Sequence, residues 1–274
     1  ISDETWVNHQ GIMEAAGLKV QVYPYYDGKS HSLRFEEMIE AIGRMSRGDV
    51  ILLHGACHTP TGVDPTAEQW ERIAEAVERQ GLLPLIDFAY QGLAHGLDED
   101  AAGVRLFARS GREALIASSF SKNFSLYNER VGALTLIAAT ADDAQRGLSH
   151  VKRAVRTNYS NPPHHGAALV ATVLGDAQLR TQWAQEVAGI RGRISQMREL
   201  FVSQLAAKGV DRDFSFIVRQ NGMFSYSGLT SEQVARLKDE YAIYIVRSGR
   251  INVAGITLQN IDRLTTAVAA VLKG

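Results

Sequence analysis

Apolar residues recur along this chain in two rhythms, and the rhythm changes past its middle. In the first half, short apolar runs dominate: Leu18–Tyr25, Asp49–His54, Leu82–Asp87, Ala114–Ser119 and Val131–Ala138. Each is bounded by Gly, Pro or polar residues and is expected to be a strand. Between them, apolar positions recur every three or four residues, predicting helices over Phe35–Met45, from Thr66 or Ala67 to about Gln80, and near Ala101–Ser110. Strands alternating with helices imply parallel pairing through right-handed crossovers. Most of these strands are apolar almost throughout, so both faces of the sheet are expected to be covered.

After Ala141 the pattern turns helical and is broken at Asn161-Pro162-Pro163, since proline lacks a donor N–H and restricts the residue before it. Gln178–Lys208 then reads as one long amphipathic helix, a natural spine between two parts. From Asp211 the rhythm becomes short strands (Phe214–Val218, Met223–Tyr226, Ile243–Val246) with helices near Ser231–Tyr241 and Asn260–Leu272. The expectation is an α/β fold: a large domain over residues 1–189 with a mostly parallel sheet flanked by helices, and a smaller C-terminal α+β domain over 190–274.

Composition narrows the function classes. The 274 residues are 45% hydrophobic and 22% charged with a net charge of −1, so nothing favours nucleic acid or an anionic membrane surface. Cys57 is the only cysteine, which excludes an intrachain disulfide and fits a reducing, cytoplasmic setting. No run approaches the ~18 apolar residues of a membrane span.

Two strand ends carry the chemistry. Asp87 closes Leu82–Asp87, and Lys122 stands just past Ala114–Ser119. Ligands of α/β proteins bind at the carboxyl ends of strands, so an amine and an acid there point into one crevice. Lysine is the side chain that forms Schiff bases, and pyridoxal phosphate needs an acid partner for its ring nitrogen. Alone, each residue has a plainer reading: a solvated lysine, or an aspartate capping a helix.

The ordered motifs are specific together. They are Trp6-Val7-Asn8-His9, His54-Gly55-Ala56-Cys57-His58-Thr59-Pro60-Thr61-Gly62, Asp87-Phe88-Ala89-Tyr90, Ser119-Phe120-Ser121-Lys122-Asn123, Asn128-Glu129-Arg130-Val131-Gly132, Arg156-Thr157-Asn158-Tyr159-Ser160-Asn161-Pro162-Pro163, Asn221-Gly222-Met223-Phe224-Ser225 and Ser248-Gly249-Arg250. Across essentially its whole length the chain resembles a fold-type-I, pyridoxal 5'-phosphate-dependent aminotransferase of the aspartate/aromatic type. The resemblance implies transfer of the amino group of aspartate or an aromatic L-amino acid to 2-oxoglutarate, with small amino and 2-oxo acids as partners and a homodimer as the assembly. No metal is called for.

What the resemblance implies for single residues is concrete. Lys122 would hold the cofactor as a Schiff base and shuttle the proton. Asp87 would accept from the ring nitrogen, oriented by His9. Trp6 and Ala89 would lie on the two ring faces, and Tyr90 would bond the phenolic oxygen. Ser119, Ser121 and Arg130 would hold the phosphate, with Gly132 allowing close backbone approach. Arg250 would clamp the substrate α-carboxylate, and Arg156 resembles the arginine lent across the dimer to a distal carboxylate. The plainer readings are core packing for Trp6 and Tyr90, and solvated or ion-paired arginines for Arg130 and Arg156.

Departures matter as well. Thr59 stands where the family usually has asparagine, exchanging an amide donor for a shorter hydroxyl. Phe120 and Ser125 are variations associated with the aromatic-accepting branch. Family members carry, ahead of the first motif seen here, part of the small domain, a phosphate-cradling glycine-rich turn and a tyrosine lent to the neighbour. Against that pattern the chain is expected to be a fragment, possessing fewer strands and less phosphate grip. Two alternatives use other chemistry. Ser119-Phe120-Ser121-Lys122 matches the S-x-x-K pattern of penicillin-binding enzymes, without the S-D-N or K-T-G strings that mechanism needs. The other is an effector-sensing aminotransferase-like domain of a transcription regulator, or an inactive fragment.

Overall fold

A computed structural model describes residues 1–109 and 112–273. The chain runs α1 (Asn8–Ala15), β1 (Tyr26–Asp27), β2 (Ser32–Leu33), α2 (Phe35–Ile42), β3 (Val50–His54), α3 (Ala67–Gln80), β4 (Leu83–Phe88), α4 (Ala102–Leu106), β5 (Ala114–Ser119) and β6 (Gly132–Ile137). It continues through α5 (Ala141–Tyr159), α6 (His164–Gly175), α7 (Ala177–Ala207), α8 (Phe216–Arg219), β7 (Phe224–Tyr226), α9 (Ser231–Tyr241), β8 (Arg250–Asn252) and α10 (Ile261–Lys273).

The main sheet has the order β3-β4-β5-β6, parallel across the first three strands and antiparallel at β6. Register decides what the strands present together: His54 lies beside Asp87, and Asp87 beside Ala117. The apolar runs form strands because Ile51, Leu53, Ile86 and Ala114 are buried between helices α2, α3 and α4. α3 shows how local signals agree with packing. Thr66 and Gln69 form a reciprocal capping box, Gly81 ends the helix at φ 64°, and Trp70, Ile73, Ala74 and Val77 face inward. Coverage differs from expectation at β6, where residues 132–135 are exposed because this edge strand pairs only with β5.

A second apolar cluster gathers Met197, Phe201, Leu205, Phe216, Leu237, Val253 and Val268 from α7 to α10. The 31 residues of α7, about 46 Å at 1.5 Å per residue, connect the two clusters. Val187 belongs to the first and Ile194 to the second, while Ile190 packs against both.

Several expected elements differ. Leu18–Tyr25 is not a strand. It runs beside residues 1–3, through Ile1 N–Gln21 O, Tyr23 N–Ile1 O and Asp3 N–Tyr23 O, but the ladder-like pairing amounts to one bridge at Ser2–Tyr23. Phe214–Val218 is instead the start of α8, its Phe216 and Ile217 buried against α7 by a helical turn rather than by strand pairing. Ile243–Val246 has no strand partner among the described residues, and the pairing with β7 is taken instead by β8, Arg250–Asn252, which follows it in the chain. The helix expected over Ala101–Ser110 spans Ala102–Leu106, and Ser110 lies outside the described residues.

Candidate active site

The strand ends of β3, β4 and β5 open into one polar pocket. Asp87 Oδ2 accepts from His9 Nε2 at 3.0 Å, and His9 Nδ1 meets Thr5 Oγ1 at 2.8 Å. The buried ring of His9 also packs edge-on against Trp6 at 5.4 Å and His54 at 5.2 Å. His54 in turn touches His58, which stacks on Tyr25 at 3.8 Å. His58 Nε2 meets Ser2 Oγ at 3.2 Å and its Nδ1 meets Thr61 Oγ1 at 2.8 Å.

These contacts set the protonation states. Burial pushes Asp87 upward, but the hydrogen bond from His9 and the charges of His54, His9 and Lys122 outweigh it and hold the carboxyl below its ordinary range. His54 is pushed down to about 4 by burial, so it is neutral at physiological pH. His58 is held well below its usual value for the same reason. His9, His54 and Asp87 bring one donor atom each within 4.8 Å of one another; with the His9–Asp87 hydrogen bond made, the arrangement is an acid braced by histidines.

Lys122 stands over the Tyr90 ring, its Nζ 4.5 Å from the centroid, with Tyr127 at 5.9 Å. Burial lowers its pKa, Asp87 opposes that, and Arg130 adds to it. The amine and the Asp87 carboxylate therefore feel each other across the pocket. Tyr90 and Ala89 are buried beside them, directly after β4. Burial raises the Tyr90 phenol to about 12, tempered by a hydrogen bond with Thr59, whose hydroxyl also donates to Cys57 O at 3.3 Å. Asn123, next to Lys122, donates to Gln91 O at 3.1 Å and accepts at its carbonyl from Trp183 Nε1 at 2.8 Å, which anchors this turn to α7.

Ser119 donates to the Ser121 hydroxyl at 3.0 Å, and Ser121 N–H returns to Ser119 Oγ at 3.2 Å. Arg130 is exposed, its guanidinium donating to Tyr127 O at 2.8 Å. Cys57, Ser125 and Arg130 hold φ of 54°, 56° and 53°, left-handed values that cost non-glycine residues and concentrate at functional sites. Gly132 is required by space: a Cβ there would lie 2.6 Å from Ser118 O. Ser119 ends strand β5 rather than opening a helix, which removes the geometry an S-x-x-K acyl enzyme needs.

Arg250 lies on β8 opposite Tyr226 of β7, with its guanidinium carbon 5.0 Å from the Phe224 ring. Among the described residues it makes no ion pair. Two links tie this arm to the pocket side: Tyr226 donates to Glu4 Oε2 at 2.6 Å, and Asn221 donates to Asp64 Oδ2 at 3.1 Å. Asp64 also accepts from the backbone N–H of Cys57 and His58, fixing the turn that carries Thr59. Arg156 is not gathered in. It sits exposed near the end of α5, donating to Ser160.

His54, His58 and Asp64 join the site beyond the residues expected from the sequence. His54 had a usable signal, since it ends β3 as Asp87 ends β4; Asp64 had none, because its partners come from residues 57, 58 and 221.

A mostly parallel α/β sheet with an amine, an acid and a hydroxyl pair at its strand ends suits an aromatic, phosphorylated cofactor. The class I and II aminotransferase profile matches residues 1–268, and the chain belongs to that family. It is 55% identical over 272 residues to the aspartate aminotransferase of Salmonella typhi, covering 99% of this chain and 69% of that protein. Identity to the aromatic-amino-acid aminotransferase of Pseudomonas aeruginosa is 48% over 271 residues, covering 99% and 68%. Among solved structures, an aromatic-amino-acid aminotransferase from Burkholderia pseudomallei covalently bound to pyridoxal phosphate superposes with a TM-score of 0.97 at 50% identity, covering 99% of this chain and 68% of that one.

Proposed function

We propose that this protein moves the amino group of aspartate or an aromatic L-amino acid to 2-oxoglutarate, using pyridoxal 5'-phosphate attached at Lys122. The observation that carries the reading is geometric: Asp87, bonded to His9 near the end of β4, and Lys122, just past the end of the adjacent β5, with its amine over the Tyr90 ring. The donor set fits the group. Asp87 has Oδ1 left for a ring nitrogen, His54 Nε2 is buried without a partner, and the Ser119–Ser121 hydroxyls with Arg130 suit a phosphate. Relatives that match across the chain are aminotransferases of both aspartate and aromatic type, which leaves the effector-sensing alternative without support.

When bound, the cofactor supplies a conjugated ring that draws electrons from the substrate Cα. Asp87, kept ionised by His9, holds the ring nitrogen protonated. Trp6 and Ala89 would confine the ring, and Tyr90 would bond its phenolic oxygen. Lys122 takes the Cα proton and later returns it; a lowered pKa keeps more of its amine neutral, as a base requires. Arg250 orients the α-carboxylate in two parallel hydrogen bonds, so that the Cα–H bond faces the ring.

The parts on either side of Ile190, residues 1–189 and 190–274, would act as cofactor-holding and substrate-clamping domains. Exposed Leu134, Leu148, Tyr159 and Leu169, on β6, α5 and α6, support a homodimer. Arg156 lies on the same helix as Leu148 and Tyr159, as a residue lent to a partner would. The lone buried Cys57 supports a cytoplasmic setting.

Absorbance tests the assignment. The protein loaded with pyridoxal phosphate is expected to show a visible band that bleaches on adding aspartate or tyrosine. Lys122→Ala should lose that band and lower kcat by at least about 10²–10⁴-fold, the worth of a positioned proton-transfer group. A Lys122→Ala protein that transaminates at the parent rate refutes it.

A further inference from the structure

The contact between Glu4 and Tyr226 calls for an explanation. A carboxylate prefers a guanidinium, which offers two charge-assisted hydrogen bonds, to a phenol, which offers one. Glu4 Oε2 nevertheless accepts from the Tyr226 hydroxyl at 2.6 Å in a partly buried setting. Directly across the β7–β8 pair from Tyr226 stands Arg250, and residues opposed in an antiparallel pair project on one face with Cα atoms about 4.5–5.5 Å apart. Burial raises the phenol's pKa, Glu4 raises it further, and the charge of Arg250 opposes the rise. The Tyr26 ring packs 5.7 Å from that of Tyr226. A carboxylate is thus bonded to the residue that stands directly opposite an arginine without an ion pair among the described residues.

We propose that Tyr226 is a positioning residue that ties down the Glu4 carboxylate and so keeps Arg250 free for the carboxylate of the substrate. This rests on the assignment of Arg250 as the substrate clamp. Without the phenol hydroxyl, Glu4 would turn to Arg250 and compete with every incoming amino or 2-oxo acid. The hydroxyl then acts on binding alone, since neither Glu4 nor Tyr226 touches Lys122, Asp87 or Tyr90 by any hydrogen bond among the described residues.

Four cofactor-loaded variants decide it: Tyr226→Phe, Glu4→Gln, the double variant, and Arg250→Lys. Each is measured for KM and kcat with amino donor and 2-oxoglutarate, for calorimetric binding of succinate, and for melting temperature. Tyr226→Phe is expected to raise KM and the succinate Kd about tenfold, the size of one charge-assisted interaction, with kcat and the visible band unchanged. Glu4→Gln should bind within about twofold of the parent, because the amide oxygen still accepts from the phenol and cannot ion-pair. The double variant should recover parent affinity to within about two- to threefold. That recovery separates the proposal from a simple latch between the two strand regions, for which the double variant stays as weak as Tyr226→Phe. An unchanged Kd in Tyr226→Phe, or failure of the double variant to recover, overturns the inference while Arg250→Lys still weakens succinate. If Arg250→Lys leaves succinate binding unchanged, the clamp assignment falls and the inference falls with it.

Discussion

The pocket at the ends of β3, β4 and β5 and the arm formed by β7 and β8 handle charge on opposite plans. In the pocket, polar groups are braced by one another: Thr5, His9, Asp87, His54 and His58 form one contiguous chain, and burial decides which of them stay neutral. In the arm, Arg250 rests on an aromatic ring with no ion pair among the described residues, its nearest opposed side chain being a tyrosine already engaged elsewhere. Under the proposed function, the pocket would serve a group that stays and the arm one that comes and goes. Preorganisation suits a resident cofactor, because donors need no rearrangement once set. An unpaired guanidinium suits a substrate, because the ion pair forms only on binding.

Arg198 sharpens the contrast and carries the largest expected effect. It is buried near Arg250's strand pair yet has no carboxylate, donating instead to the carbonyls of Ile217, Gly222 and Phe224 at 2.9, 2.7 and 2.9 Å. Burial pulls its pKa down to about 10. Arg198→Met would leave those buried acceptors unsatisfied and is expected to cost about 3–5 kcal/mol of stability, read from denaturant unfolding. A loss below about 1 kcal/mol would show that the arm does not depend on this brace.

The pocket's plan can be broken through pH. His54 has a folded pKa of about 4 against an ordinary 6.5, so between those values the unfolded chain binds the proton and the folded one does not. Its contribution is complete above pH 6.5 and is lost as pH falls toward 4, by about 3 kcal/mol in all. His54→Gln should flatten that part of the stability–pH curve. An unchanged slope would mean that His54 takes up its proton without disturbing the pocket.

The smallest effect asks whether both regions rest on equal local foundations. Thr66 with Gln69 and Thr230 with Gln233 form the same capping box, at the starts of α3 and α9. Thr66→Ala and Thr230→Ala should each cost about 1 kcal/mol. A much larger loss at one of them would place that helix start among the parts on which the whole fold depends.

Legibility in the sequence followed the range of the interactions. Strands β3, β4 and β5 and helices α3, α7 and α9 were readable because apolar spacing, caps and breakers act within a few residues. Phe214–Val218 and Ile243–Val246 were misread because three- to five-residue apolar runs fit strand and helix alike, and the packing of Phe216 and Ile217 on α7 settled the matter. The strand-end placement of Lys122 and Asp87 was readable from the apolar runs, whereas Arg250 came forward only through the resemblance. Asp64 and the Glu4–Tyr226 contact were not, since each is completed by a partner distant in sequence, Asn221 for Asp64 and a residue 222 positions away for Glu4.

By itself, the order of residues determined which elements form and which side chains can ionise, because periodicity, capping and pKa class are local properties. Tertiary structure alone decided which of those side chains are neutral, which are paired and which are left open. Desolvation and charge–charge distance depend on neighbours that the fold supplies, and they left His54 neutral and Arg250 without an ion pair among the described residues.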